Sequence, residues 1–295
     1  MIGYKIASSN GKRVVVTLNI PDDANTNISR NDVKDKMYAE HRCDKAIVTS
    51  IEDENGNKFE NASTLIHTDK KITYIAGEEV IEKDYNHDIN IVCGEGIHFF
   101  LNKEVATLYD LNNIENGEFK RWNSDGQLDT HCYYKEGNLE GIYKGWYDNG
   151  QLCIDSYYKD GKKEGGFKEW YKNGQLDQCC FYKEGKLEGE HKKWFENGQL
   201  NSLSYYKDGK LEGEIRNWCE NGTRYNQAYY KEGKLEGECK VWHSEGQLFI
   251  HCYYKDGKEE GVYKEWYLNG QLRSHYIFKD GKKDVVYVHD EKINK

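Results

Sequence analysis

Seven tryptophans recur in the second part of this chain at one fixed interval. Trp122 and Trp146 are 24 residues apart, and the same step continues to the last of them. The positions are Trp122, Trp146, Trp170, Trp194, Trp218, Trp242 and Trp266. A fixed period of this kind is typical of a repeat protein, in which each unit buries its apolar side chains against its neighbours.

Each unit has the pattern of a β-hairpin. The stretches 117–122 and 128–135 are short, rich in aromatic residues and bounded by turn formers. Three glycines, represented by Gly117, Gly126 and Gly137, follow the same step. In a helix each would cost about 1 kcal/mol relative to Ala, so we expect strands. An Asp/Asn/Glu-Gly pair supplies a residue able to take positive φ at the tip, and Lys-Asp/Glu-Gly-Lys reverses the chain into the next unit.

The register at the hairpin tip decides which side chains share a face. A two-residue turn would put Phe119 opposite Cys132. A three-residue loop with a glycine bulge would put Trp122 opposite Leu128, on the same face as Cys132 and Tyr134. We favour the second register because it groups the tryptophans with a leucine column and a small-residue column, which leaves room for the rings. The leucine column is Leu128, Leu152, Leu176, Leu200, Leu248 and Leu272, and the small column is Cys132, Ser156, Cys180, Ser204, Ala228 and Cys252.

One hairpin of this length is marginal by itself, so the units are expected to stack. We predict a mainly β fold: an elongated, twisted antiparallel sheet of about seven hairpins over residues 114–295, roughly 65 to 70 Å long. Val285-Val286-Tyr287-Val288 is expected to close the sheet as a last strand. The charges of 289–292 would then protect its edge.

Residues 1–113 lack the repeat and are predicted to form a small α+β domain. The strand candidates are 13–18, 46–51, 71–75 and 97–101. Asn102 is expected to cap a short helix over 103–109, and a second helix is expected over 31–39.

The repeat resembles a known family. Gly-x-Tyr-Lys-x-Trp-Tyr-x-Asn-Gly-Gln-Leu over 141–152, followed by Tyr-Tyr-Lys-Asp-Gly-Lys over 157–162, is similar to the variant MORN repeat. The resemblance implies a sheet of hairpins used mainly for protein contacts and scaffolding, with lipid binding as a less secure role. The fifth unit departs at Thr223-Arg224, and the seventh at Ile277-Phe278.

The first domain resembles an uncharacterised domain of large DNA viruses. The resemblance is carried by three stretches: Arg42-Cys43-Asp44-Lys45-Ala46, Tyr74-Ile75-Ala76-Gly77 and Cys93-Gly94-Glu95-Gly96-Ile97-His98-Phe99-Phe100. The resemblance implies a viral origin, in a giant virus of amoebae, and supplies no activity.

Charge and cysteine content limit the kinds of partner that the protein can bind and the cellular compartment in which it is expected. The formal net charge of −9 disfavours nucleic acid, whose phosphates require an excess of Lys and Arg. Nine cysteines without a C-x-x-C pair favour free thiols in a reducing compartment. The sequence shows no membrane-spanning run and no secretory signal. We expect a soluble intracellular protein, in the host cytoplasm or the virion if it is viral.

Two groups of residues have the chemistry of a catalytic or metal site. Cys93 and His98 could form a nucleophilic thiolate pair, but their spacing around two glycines also fits a turn into a buried strand. Cys179-Cys180 invites a zinc site, yet serine and alanine occupy the same column in other repeats. We therefore predict no catalytic, cofactor-binding or metal-binding residue, and no enzyme activity.

Two columns of recurring lysines could bind anions. An outer column holds Lys135, Lys159, Lys183, Lys207, Lys231, Lys255 and Lys279, and an inner one holds Lys120, Lys144, Lys168, Lys192, Arg216, Lys240 and Lys264. An acidic residue follows each outer lysine, and the inner column is expected to face glutamates, so both predict a solvated, mixed-charge surface. The favoured function is a scaffold that binds proteins, with self-association left open. The alternative is a membrane-surface adaptor that binds anionic lipid through the lysine columns.

Overall fold

The computed structural model describes residues 1–64, 71–91, 94–108, 115–123 and 125–287. It divides into two compact units, one of residues 1–137 with 145–150 and the other of 138–144 with the residues from 151 onward. Both are built mainly of antiparallel strands. The predicted fold class, hairpin strands in a long sheet after a small first domain, is confirmed.

The described residues of the first domain form eight strands and one short helix. The elements are β1 (Ile2–Ser9), β2 (Lys12–Asn19), β3 (Glu40–Cys43), β4 (Lys45–Glu52), β5 (Asn61–Thr64), β6 (Thr73–Ile75), β7 (Glu79–Ile81), β8 (Ile97–Phe100) and α1 (Lys103–Leu108). The main sheet has the order β3-β8-β1-β2-β4-β7, and β5 pairs with β1 and β6. Its core includes Val16, Leu18, Val48, Tyr74 and Phe99, all essentially inaccessible to solvent. The four predicted strands are confirmed as β2, β4, β6 and β8.

One of the two predicted helices is confirmed. The Asn102 side-chain oxygen accepts the N–H of Glu104 at 2.8 Å, which caps α1 as predicted. The helix predicted over 31–39 is wrong, since those residues form turns. There the N–H groups of Lys34 and Asp35 donate to the Asp125 carbonyl of the first hairpin, so tertiary hydrogen bonds replace helical ones.

The repeats supply the remaining strands. They are β9 (Gly117–Trp122), β10 (Leu128–Lys135), β11 (Asn138–Trp146), β12 (Leu152–Lys159), β13 (Lys162–Trp170), β14 (Leu176–Lys183), β15 (Lys186–Leu187), β16 (Gly189–Trp194), β17 (Leu200–Lys207), β18 (Lys210–Leu211), β19 (Gly213–Trp218), β20 (Arg224–Lys231), β21 (Lys234–Trp242), β22 (Leu248–Lys255), β23 (Lys258–Glu259), β24 (Gly261–Trp266), β25 (Leu272–Lys279) and β26 (Lys282–Tyr287). Every tryptophan of the period is the last residue of a strand.

The hairpin tip has the predicted three-residue loop. In the third repeat Tyr171 N–H donates to the Gln175 carbonyl at 2.8 Å, and Gly174, at φ 86°, donates to the Tyr171 carbonyl. Trp170 then lies opposite Leu176. The predicted tryptophan–leucine pairing is therefore confirmed.

A bulge in the second strand of the hairpin changes which side chains share a face of the sheet. The register skips Asp177, so that Phe167, rather than Trp170, shares a face with Cys180. Because Trp170 is three residues from Phe167, the alternation of the strand turns it to the other face. The predicted grouping of tryptophans with the small column is thus wrong. The additional residue at this bulge has no signature in the pattern.

The small column nevertheless makes room for rings, as expected. Phe167 lies between Ser156 and Cys180 on the flanking strands, and all three are buried. Its ring packs edge-on against Tyr182, with centroids 5.8 Å apart. Further along, Ala228, Cys239 and Cys252 form an equivalent core.

The turns between repeats are two-residue loops. Lys207 pairs with Lys210, and the intervening Asp208 and Gly209 have φ of 50° and 79°. Positive φ at both positions matches the right-handed twist of the strands. At the carboxyl end β26 pairs with β25, which confirms the predicted closing strand over 285–287. Val288 and the charges of 289–292 lie outside the described residues.

Within the described ranges, no helix is both long and apolar enough to cross a membrane.

Candidate interaction surface

Of Cys93 and His98, the residues that could have formed a thiol–imidazole pair, only His98 lies within the described residues. Cys93 lies outside the described residues. His98 Nδ1 is 3.1 Å from the Glu40 carboxylate, and Nε2 is 2.9 Å from the Gly94 carbonyl. Glu40 is an acid partner that the sequence did not place. Since both ring nitrogens already face acceptors, this arrangement holds β3 against the segment before β8 and leaves neither nitrogen free to act as a base.

Two other groups in the first domain serve the fold. The fully buried Arg42 guanidinium donates to four backbone carbonyls, among them Ile91 at 2.8 Å and Glu95 at 3.1 Å, and lies over the Tyr85 ring. Its donors are committed to the chain itself, so it offers no anion site. Burial raises the pKa of the Cys43 thiol to about 12, which makes it a weak nucleophile at neutral pH.

The cysteine pair of the third repeat is not arranged as a chelate. Cys180 lies opposite Phe167, whereas Cys179 lies opposite Lys168 and Lys192. Adjacent strand residues point to opposite faces, so the two thiols diverge. Burial raises the pKa of Cys180 to about 11. Across the part of the chain that the structure describes, no group of three or more His, Cys, Asp or Glu side chains could hold a metal ion.

The more exposed face of the repeat sheet, to which Trp170 also turns, carries three further recurring columns, and we call it the lysine–tyrosine face. Its inner lysine column is the one defined above. Its tyrosine column is Tyr133, Tyr157, Phe181, Tyr205, Tyr229, Tyr253 and Ile277, and its glutamate column is Glu118, Ile142, Gly166, Glu190, Glu214, Glu238 and Val262. The strand register places the glutamate column opposite the tyrosine column. For example, Glu190 lies opposite Tyr205.

A glutamate on this face binds both its neighbours. In the fourth repeat Glu190 pairs with Lys192 at 2.5 Å and accepts the Tyr205 hydroxyl at 3.3 Å. Repeats one and five show the same three-residue network, through Glu118 and Glu214. The network orders an exposed ring and neutralises its lysine.

The sixth repeat replaces the tyrosine contact with a histidine. Glu238 pairs with Lys240 at 2.7 Å and with His251 at 2.8 Å. The hydrogen bond from Lys240, followed by that from His251, lowers the pKa of the Glu238 carboxyl. That carboxyl is therefore ionised across the neutral range.

The expectation that the whole inner column faces glutamates is only partly correct. Lys144 instead pairs with Asp155 at 3.5 Å. Lys168 forms no ion pair with any residue in the described ranges, and position 166 beside it is glycine. The lysine positions alone give the inner column a uniform pattern. A comparison of the repeats position by position would have revealed the change, since Ile142 and Gly166 interrupt a column of glutamates.

The outer lysine column lies at the turn edge. In one such turn Lys207 and Lys210 flank Asp208, whose N–H donates to the Glu188 carboxylate. Two cations and two carboxylates thus meet in each full turn unit. This edge is a balanced, mixed-charge surface.

Comparisons with known proteins match two parts of the chain. Residues 1–106 match a family of unknown function (DUF5758). A family model described as MORN repeat variant matches residues 115–136, 139–160, 163–184, 187–208, 235–256 and 259–280. The unmatched stretch between the fourth and fifth matches contains the departure at Thr223-Arg224. No curated protein matches the chain.

Proposed function

We propose that this chain, which carries a DUF5758 domain followed by repeats of the MORN variant, is a non-catalytic scaffold whose repeat sheet binds partner proteins. The lysine–tyrosine face is the observation that carries the proposal. It presents exposed aromatic rings and cations in fixed columns on a hydrogen-bonded sheet. Aromatic side chains held rigidly at a surface contribute contact area at a low entropic cost.

The lipid-adaptor alternative has weaker support. An anionic surface needs uncompensated cations, but Lys120, Lys192, Arg216 and Lys240 each pair with a glutamate. The turn edge is balanced as well. The net charge of −9 adds a general repulsion from anionic lipid.

The resemblance of the first domain to a domain of large DNA viruses extends the proposal. The scaffold is assigned to the virion or to viral assembly in the host cytoplasm, with proteins as its partners and no part for nucleic acid. His98, held by Glu40 and Gly94, has a structural role in this proposal.

The test compares two matched triple variants of the full chain. Tyr205→Ser, Tyr229→Ser and Tyr253→Ser alter the face, while Lys207→Ser, Lys231→Ser and Lys255→Ser alter the turn edge of the same repeats. Each is immobilised and the captured proteins are quantified from cells that express the chain. We expect the face variant to lose partners that the edge variant keeps, with both folded by circular dichroism.

A second measurement addresses lipid. The same proteins are sedimented with phosphatidylcholine vesicles that contain or lack phosphatidylserine. Salt-sensitive binding that only the edge variant loses would favour the adaptor function. Equal capture by all three proteins would contradict the scaffold proposal.

A further inference from the structure

The second and third repeats break the pattern of the lysine–tyrosine face at one place. Ile142 and Gly166 occupy the glutamate column, which holds Glu118, Glu190, Glu214 and Glu238 in other repeats. The rings beside them remain. Ile142, Tyr157 and Phe181 expose 37%, 46% and 48% of their surface, and together form an apolar patch.

The patch has a notch at its centre. Gly166 lies directly opposite Phe181 on the neighbouring strand. A Cβ added to Gly166 would meet no atom within 4 Å, so the space above this backbone is open. On the strand at the other side, Ser156 pairs with Phe167, so the adjacent Tyr157 turns to the same face as Gly166. A side chain from outside could therefore lie on the backbone of Gly166 with an aromatic ring on either side.

The charge at the patch differs from that of the repeats that keep the glutamate. Asp155 lies opposite Lys168 in the register and pairs with Lys144 at 3.5 Å. One carboxylate thus lies beside two lysines, and among the described residues its ion pair is with Lys144 rather than Lys168. In the fourth and sixth repeats each lysine has its own glutamate, at 2.5 and 2.7 Å. The patch lacks about one negative charge, at the position of the missing glutamate side chain.

We propose that this patch, formed by Ile142, Lys144, Tyr157, Gly166, Lys168 and Phe181, docks an extended acidic segment of a partner protein that also carries an aromatic side chain. A carboxylate of the segment pairs with Lys168, in place of the absent glutamate. The aromatic side chain fills the notch above Gly166. This inference rests on the proposed scaffold function and names the chemistry of one partner site.

A peptide fits the patch better than a lipid surface does. The open space lies above one residue, Gly166, between the strands that carry Tyr157 and Phe181, which suits a single side chain. Beyond the patch, Lys192 is already neutralised by Glu190 at 2.5 Å, so that lysine offers no free charge to a continuous anionic surface. The excess positive charge is confined to the patch around Lys168, so a single carboxylate of a peptide is enough to pair with it.

The test restores the common residue of the column. Gly166→Glu places a carboxylate next to Lys168 and fills the notch. Gly166 lacks positive φ, so the backbone accepts a side chain. Val262→Glu introduces the same charge in the same column in the seventh repeat and serves as the matched control. Both full-length variants are checked by circular dichroism and urea unfolding.

The probe is a fluorescein-labelled synthetic peptide of alternating Glu and Phe, with a second peptide that has Gln for Glu. Binding is measured by fluorescence polarisation. We expect Gly166→Glu to weaken binding of the acidic peptide by about tenfold or more, and Val262→Glu to change it by less than about twofold. The Gln peptide should bind the unaltered protein about tenfold more weakly.

Two binding outcomes would overturn the inference, and a third, from the capture experiment, would overturn it while leaving the scaffold function intact. One is equal affinity of the acidic peptide for the unaltered protein and for Gly166→Glu. The other is binding to phosphatidylserine vesicles that Gly166→Glu abolishes, with no peptide binding, which would assign the patch to lipid headgroups. If the tyrosine triple variant loses its captured proteins while Gly166→Glu retains all of them, the scaffold function stands and this docking site fails.

Discussion

The Glu188 carboxylate accepts a hydrogen bond from the backbone N–H of Asp208 at 2.9 Å, and so ties the start of the fourth repeat to the turn that leads into the fifth. The donor is the first residue of the two-residue turn. The same link recurs in the pairs Glu140–Asp160, Glu164–Glu184, Glu212–Glu232, Glu236–Asp256 and Glu260–Asp280. Each repeat thus helps to hold the turn that leads into its successor, and so supports the contact between neighbours that stabilises repeat proteins.

Removal of this link should loosen a single turn. Glu188→Ala is expected to lower the free energy of unfolding by about 1 kcal/mol, because the Asp208 N–H loses its acceptor. Glu188→Gln keeps a carbonyl oxygen and should lose less. Amide hydrogen exchange is the local measurement: it should accelerate at Asp208 and stay unchanged at Asp256. Uniform acceleration at both turns would contradict a local role.

The glycines of the sheet should respond to substitution in opposite ways. Gly209 has φ of 79°, where an L side chain costs roughly 1–2 kcal/mol. Gly209→Ala should therefore destabilise the protein by about that amount. Gly166, in a strand with open space above it, should tolerate alanine and gain about 0.5–1 kcal/mol. Urea unfolding of the two variants measures the difference, and a loss of stability in Gly166→Ala would show that the notch is not open.

The repeat was predictable because its period and its turns are local signals. The spacing of the tryptophans and the Lys-Asp/Glu-Gly-Lys turns specified hairpins, and the tip glycine specified the Trp170–Leu176 pairing. The bulge at Asp177 was not predictable in this way. An extra residue in a strand costs little and leaves no mark in composition, yet it decides that Phe167, rather than Trp170, packs on Cys180.

The candidate surface was predictable in outline only. The lysine columns and paired rings are visible in the sequence, but which ring shares a face with which lysine depends on the bulge. In the first domain, the turns at 31–39 depend on hydrogen bonds to Asp125, some 90 residues away. No local pattern can encode such a contact, because the same residues would favour a helix in isolation.

The core tyrosine of the third repeat should make the sheet sensitive to alkali. Burial, with the nearby Cys180 as the next cause, raises the pKa of Tyr182 to about 12. The folded state thus holds the hydroxyl neutral above the ordinary value of about 10, at which the unfolded chain ionises. Its contribution to stability is complete below pH 10 and disappears as the pH rises toward 12.

Tyr182→Phe keeps the ring and removes the ionisable hydroxyl. The unfolding free energy of the unaltered protein should therefore fall more steeply between pH 10 and 12 than that of Tyr182→Phe. Urea unfolding at several pH values measures both slopes. Parallel slopes would show that Tyr182 ionises as readily in the folded protein as in the unfolded chain.

The sixth repeat offers a pair of thiols that should respond to oxidation. Cys239 lies directly opposite Cys252 on the neighbouring antiparallel strand, and both are buried. Residues paired in this way have Cα atoms close enough for a disulfide. In other repeats a larger residue, such as Phe167 or Tyr263, stands where Cys239 stands. A hydrogen bond from the Cys252 thiol lowers the pKa of Cys239, which makes Cys239 the attacking thiolate.

Incubation with glutathione disulfide should join the two sulfurs. One S–S bond forms between Cys239 and Cys252, the S–S bond of glutathione breaks, and the two thiol protons leave on two glutathione molecules. Peptide mass mapping should show a cross-linked pair that has lost two hydrogen atoms, absent from Cys252→Ser. Because burial slows access of the oxidant, the reaction should accelerate in mild urea. A stable glutathione adduct on Cys239 in the unaltered protein, without the cross-link, would show that the two sulfurs cannot reach each other.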